Sequence, residues 1–285
     1  MIGGVGGLVK VGSGVVTLSG VNTFGGSAEI RGGSVVLGGN NVLPTTAAVV
    51  LGDGANGSGV LDLAGHEQQI GGLSVSGSGA ANRVANSSGE LSTLTINQSA
   101  DGTYSGVIDG RIRLIKGGAG TLTLGGANTY SDSTRVAAGA LKLGTDSALP
   151  ATTALILGDG STGGGTFDLA GRSQEVAGLF ADGSGTNTVT STGGAGTLRL
   201  ASNTALGDES GATVVAGGAV LDVNGQAVGA EPLFIRANTG GSALVGAGSW
   251  AGPVTLLGDA TIGGGSTITI SGVVGGEHHL TKANS

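Results

Sequence analysis

Lys116-Gly117-Gly118-Ala119-Gly120-Thr121-Leu122-Thr123-Leu124-Gly125-Gly126-Ala127-Asn128-Thr129-Tyr130 is the second occurrence of a pattern that first runs from Lys10 to Phe24. The offset is 116 − 10 = 106 residues. It holds without a gap between residues 10–79 and 116–185, where 32 of 70 positions are identical. Shared blocks include Leu43-Pro44 with Leu149-Pro150, Leu51-Gly52-Asp53-Gly54 with Leu157-Gly158-Asp159-Gly160, and Asp62-Leu63-Ala64-Gly65 with Asp168-Leu169-Ala170-Gly171. Beyond residue 79 the copies drift, and they meet again at Thr93-Leu94 and Thr197-Leu198. A partial third copy follows: Leu221-Asp222-Val223-Asn224-Gly225 echoes Leu61–Gly65, and Leu280-Thr281-Lys282 echoes Leu114-Ile115-Lys116.

Within each long repeat, runs of three to six strand-forming residues alternate with Gly, Asn, Asp or Ser. Val15–Leu18, Val35–Leu37, Ala48–Leu51, Val60–Leu63, Leu91–Ile96, Thr121–Leu124 and Thr267–Ile270 are examples. Their period is two: Leu61 faces in, Asp62 out, Leu63 in. Short, evenly spaced strands with glycine turns read as an all-β sandwich, barrel or solenoid. Near-copies of a 70-residue block decide for the solenoid, because stacked coils need similar neighbours and a sandwich does not. The expectation is an all-β parallel β-helix of about 11–13 coils, at the repeat lengths usual for solenoids. It forms a single solenoid over residues 1–285, with long repeats at 10–115 and 116–200 and a divergent partial repeat at 201–285.

Composition agrees. Of 285 residues, 63 are Gly and 4 Pro, yet 39% are hydrophobic and only 11% charged, the reverse of a disordered chain. Aromatics make up 2%, which suits a thin core of Val, Leu, Ile, Ala and Thr. A net charge of −7 argues against nucleic-acid binding through a basic face. The absence of cysteine excludes disulfide staples and thiolate metal sites. No apolar run reaches the roughly 18 residues of a membrane helix, so no membrane insertion is expected of this segment. Met1-Ile2-Gly3-Gly4 shows no leader, and the chain reads as a piece of something longer.

The stretch from Gly118 to Tyr130 resembles the passenger-associated repeat of bacterial autotransporters: a Lys, a Gly-rich turn, Thr-Leu-Thr-Leu, then Gly-x-Asn-Thr-Tyr. The first copy, Lys10 through Phe24, departs at its end, where Phe24 stands for the Tyr. Val220–Gln226 resembles another recurrent piece of such passengers. The resemblance implies a right-handed β-helix. It also implies export to the exterior of a Gram-negative outer membrane, either held at the cell surface or released, with a translocator barrel elsewhere in the parent chain. Adhesion to host or bacterial surface ligands, or self-association, is the function it implies. A polysaccharide-cleaving β-helix enzyme is the alternative.

No residue is assigned a catalytic, cofactor or metal role. Gly52-x-Gly54-x-x-Gly57 and Gly158-x-Gly160-x-x-Gly163 match a dinucleotide fingerprint, but strands rather than helices follow them. Asp53, Asp159 and Asp259 read as turn residues, too few per turn for calcium. Asp62, Asp168 and Asp222 are expected on a solvated strand face, in different repeats and so too far apart for a glycosidase pair. His66, His278 and His279 read as surface residues. The Thr-x-Thr pairs at 93/95, 121/123 and 267/269 read as strand formers. Phe234 and Trp250, in the least repetitive region (201–260), are the candidate interaction surface, weighed against a role in the core.

Overall fold

The alternation that marks the strands also fixes which side of each strand is buried. In Ser92–Asn97, Ser92, Leu94 and Ile96 are fully buried while Thr93 and Thr95 lie between them on the outer side. The computed structural model describes residues 1–79, 81–202, 212–236 and 241–283. Parts of the 201–285 region therefore lie outside the described residues. Among those described, every strand pairing is parallel and there is no helix, hence none long and apolar enough to cross a membrane. The strands stack as a β-solenoid of about 13 turns. The chain divides into two units, Met1–Ser133 and Thr134–Ser285, and the boundary falls inside the second long repeat.

In the first unit one sheet shows how the turns stack. Val16 of strand Val15–Leu18 lies over Val35, Val35 over Leu61, Leu61 over Val84, and Val84 over Ile108. The step is 61 − 35 = 26 residues at one turn, and Leu8 steps to Ala28 in 28 − 8 = 20 at another. The turns thus differ in length while the inward column stays in register, because the extra residues are taken up in the corners. A second sheet stacks Gln68, Leu94 and Leu114 in the same way.

The second unit is built alike. Leu141, Phe167, Val189, Val215, Ile235 and Leu256 form one inward column across six strands. All six are buried. Gln174, Leu198, Leu221 and Leu244 form another. The core is a single file of aliphatic side chains per sheet, which is why so few aromatics suffice. Phe24 and Tyr130, where the two copies differ, are both buried, so that difference is a change of core residue.

Glycine is required where coils approach closely. A Cβ at Gly59 would run into the Ile30 carbonyl, and one at Gly165 into the Val136 carbonyl. Both are identical positions of the long repeat.

The register makes a direct prediction. Leu61 is fully buried, and Leu61→Ala should cost about 3 kcal/mol in urea unfolding. Its neighbour Val60 faces outward, and Val60→Thr should stay within about 0.5 kcal/mol. Equal losses at the two positions would contradict the register.

Capped corners and a candidate interaction face

Each corner interrupts the ladder and leaves backbone groups that no neighbouring strand can satisfy. Polar side chains turned inward do so instead. Lys10 is buried, and its ammonium donates to the carbonyls of Val11, Gly12 and Gly32 at 3.0, 2.7 and 3.0 Å. Lys116, at the same place in the second copy, is also buried and donates to Gly117 O and Gly118 O at 2.7 and 2.9 Å. Three N–H donors on one flexible stem suit a cluster of turn carbonyls.

Amides serve the other corners. Asn22 Nδ2 donates to Gly20 O and Val42 O, while its Oδ1 accepts from Ile2 N at 2.6 Å. Asn128 repeats this with Gly126 O and Ile108 N. Gln68 clasps the backbone of Leu43 from both sides, accepting from its N–H and donating to its carbonyl, each at 3.0 Å. Gln174 clasps Leu149 in the same way at 2.9 Å. Asn82 Oδ1 accepts from Gly59 N, and Asn187 Oδ1 from Gly165 N. Sequence reasoning passed over Gln68, Gln174, Asn82 and Asn187. The signal for the glutamines was present: they are identical at the 106-residue offset.

The strand-end aspartates correct an expectation. Asp62, Asp168 and Asp222 do not stand on a solvated face; Asp62 is half-buried, and Asp168 and Asp222 are only 6% and 9% exposed. Asp62 Oδ1 accepts from Ala64 N and Ser87 N, both at 3.0 Å. Asp168 Oδ1 accepts from Ala170 N and Thr192 N at 2.9 and 2.8 Å, and the Thr192 hydroxyl donates to its Oδ2. Asp222 Oδ1 accepts from Asn224 N, and Arg199 reaches its Oδ2 at 3.1 Å. Alternation does point these carboxylates outward. The corner that follows then folds over them, because Ala64, Ala170 and Asn224 are left-handed, with φ of 48°, 51° and 49°. A short acceptor two residues upstream is what holds a non-glycine residue there.

Asp53 and Asp159 are turn residues. Asp53 Oδ1 accepts from Ala55 N and Gly57 N, and Asp159 Oδ1 from Ser161 N and Gly163 N. These backbone donors hold both carboxyls below the usual carboxylate range. The glycines of both fingerprint matches belong to these corners, and strands Gly59–Asp62 and Gly165–Asp168 follow them. Asp259 accepts from His279 N, and His278 Nδ1 lies 3.8 Å from its carboxylate. His66 is half-buried, and its N–H closes a turn onto Leu63 O. Among the described residues no cluster of three His, Asp or Glu could hold a metal ion.

Of the two candidate surface residues, one leaves the list. Trp250 is 0% exposed, and its indole N–H donates to Glu231 O at 3.1 Å. It is a core residue, because position 250 falls on the inward side of strand Gly248–Trp250. Phe234 is half-buried on the outward side of Leu233–Ile235. Pairing places it in a row that runs Ala140, Thr166, Thr188, Val214, Phe234, Thr255, Gly275. That row crosses seven strands of the second unit without a charged side chain.

Residues 8–41 and 114–143 match the family model of the passenger-associated-transport-repeat. The chain carries two copies of that repeat, which marks an autotransporter passenger segment. Each match begins just before one of the capping lysines, Lys10 and Lys116, and takes in the asparagine cap that follows, Asn22 and Asn128. No curated protein and no solved structure matches the chain.

Two outcomes test the corners of this passenger segment. Gln174→Leu leaves the N–H and carbonyl of Leu149 buried without their partner, and should cost about 3 kcal/mol. Burial pulls the Lys116 ammonium down to about 8, with Asp101 opposing the shift. An unfolded lysine holds its proton to 10.5, so between those values the unfolded chain binds more protons than the folded one. The contribution of Lys116 to stability therefore rises with pH across that window. Denaturant midpoints of the wild type, each referred to Lys116→Met at the same pH, should increase from pH 7.5 to pH 10. A flat or falling difference would contradict the assignment.

Proposed function

We propose that this segment is a structural and interaction part of a surface-exposed autotransporter passenger, contributing to adhesion or self-association rather than to catalysis. The observation that carries the reading is the uncharged outward row from Ala140 to Gly275, with Phe234 near its centre. A partner that reads such a row meets hydroxyls and small apolar groups at the spacing of the strands. Its affinity comes from many weak contacts added in register. The partner is a host or bacterial surface ligand or a second copy of the chain. The net charge of −7 disfavours nucleic acid. The location that follows is extracellular, on the bacterial cell surface or released from it. The recurrent aspartates support a non-enzymatic role, since Asp62, Asp168 and Asp222 are bonded to backbone at separate corners instead of facing each other across a cleft.

The test is a display experiment with the intact parent protein on cells lacking other adhesins. Phe234→Ser and Thr188→Lys together should lower cell aggregation or host-cell attachment while surface display is retained. Unchanged values for the variant, and for a passenger in which an unrelated solenoid of equal length replaces the segment, would make it a spacer.

A further inference from the structure

Two Asn-Gly pairs occur in the chain, Asn56-Gly57 and Asn224-Gly225, and both asparagines are exposed. In such a pair the glycine nitrogen can attack the asparagine side-chain carbonyl carbon, since no Cβ on the glycine blocks the approach. The surroundings of the two pairs differ in every respect that matters to that reaction.

At Asn56 the corner supplies groups for both halves of it. The Gly57 N–H donates to Asp53 Oδ1 at 2.8 Å, so the proton that must leave the nucleophile already points at a carboxylate. Asp53 packs so closely here that a Cβ at Gly57 would run into its carboxyl group. The Ser78 hydroxyl, from the next turn, lies 3.0 Å from Asn56 Oδ1 and donates to it; it is also 3.2 Å from Ala55 O. A donor at that oxygen polarises the Asn56 carbonyl and stabilises the oxyanion formed on attack. No described group accepts from Asn56 Nδ2, so the leaving nitrogen is not tied down.

At Asn224 the same atoms are occupied. The Gly225 N–H is given to Ala247 O, and Asn224 Nδ2 donates to Leu200 O at 3.1 Å. Asn224 is also fixed in the left-handed conformation that its corner requires. The second long repeat keeps the carboxylate and the glycine, with Gly163 N donating to Asp159 Oδ1 at 3.0 Å, but carries Thr162 where the first has Asn56.

We infer that Asn56 is a self-modifying site, converted to aspartate and isoaspartate with Asp53 as proton acceptor and Ser78 as carbonyl activator. The Gly57 nitrogen forms a bond to Asn56 Cγ as its proton passes to Asp53 and on to water. The Cγ–Nδ2 bond then breaks, and the nitrogen takes up a proton and leaves as ammonia. One water opens the resulting succinimide, on either side, to aspartate or isoaspartate. No oxidant or reductant takes part. The product places a second carboxylate beside Asp53. In the isoaspartate form it also adds one main-chain carbon to a corner stacked on Gly77-Ser78.

The test is to hold the folded chain at pH 8 and 37 °C and follow both sites by peptide mapping with isoaspartate detection. Asn56 should convert at least about tenfold faster than Asn224, a smaller factor than full general acid–base assistance gives. In urea the two sites should react at similar rates, which shows that the fold makes the difference. Ser78→Ala and Asp53→Ser should each slow Asn56 several-fold and leave Asn224 unchanged. Equal rates in the folded chain, the same bias in urea, or an Asn56 rate that the two variants leave unchanged or raise would overturn the inference.

Discussion

The structure depends on satisfying the backbone at its corners. Parallel strands stacked coil on coil pair their own N–H and carbonyl groups with the turns above and below, but a corner breaks that ladder. A buried amide or carbonyl left without a partner costs about 1–3 kcal/mol, and a solenoid meets the problem several times per turn. Here the answer is a small set of polar side chains: lysine over clustered carbonyls, asparagine bridging separate backbone groups, glutamine clasping one residue of a neighbouring coil, and aspartate accepting from one N–H of a left-handed turn and, at Asp62 and Asp168, one from the next coil. The aliphatic columns can then be thin and of varied residue type, since the register is fixed at the ends of the strands.

That division of labour explains why the sequence repeats as it does. The identical positions at the 106-residue offset include Lys10, Asn22, Asp53, Gly59, Asp62, Leu63, Gly65 and Gln68, nearly all corner residues. Some core positions are identical too, such as Leu37 with Leu143, Leu51 with Leu157 and Leu73 with Leu179, but others are kept only in kind: Val35 becomes Leu141, Leu61 becomes Phe167, Ile70 becomes Val176, each buried in its own unit. An aliphatic column tolerates exchanges of that size with local repacking. A corner does not, because a hydrogen bond needs its donor and acceptor at fixed positions. The same logic accounts for the divergent end of the chain, where Asp222, Asn224 and Gly225 retain the aspartate corner although little around them repeats.

The solenoid was legible because period-two alternation, glycine punctuation and the long offset all point the same way. The caps were legible only in part. Asp53 and Asp159 could be read as turn residues, since an aspartate between glycines has few other uses. Asp62 and Asp168 were misread, because alternation gives the side of the strand and says nothing of the corner that folds over it; Ala64 at positive φ has no signature of its own beside Gly65. Gln68 looked like any polar residue on a strand, and its burial follows from the inward column it shares with Leu94, a pairing across 26 residues that no local pattern contains. Trp250 and Phe234 were alike in sequence as isolated aromatics. Which of them faces solvent is a matter of strand phase, and two or three strand residues are too few to fix a phase.

What varies between the copies follows from what cannot. The outward positions change in character: Glu29 becomes Arg135, Val36 becomes Lys142, Ser74 becomes Phe180, Gln69 becomes Glu175. None of these side chains fills an inward column, although Arg135 donates to the corner carbonyl of Gly158 at 2.9 Å, so exchanging them leaves the columns untouched. Core packing and the outward face are thereby carried by different residues on the same strands, separated by one residue of phase. A passenger built on this plan can lengthen by repeating its corners while each added unit presents a different face. The charge-free row around Phe234 is built of such outward positions.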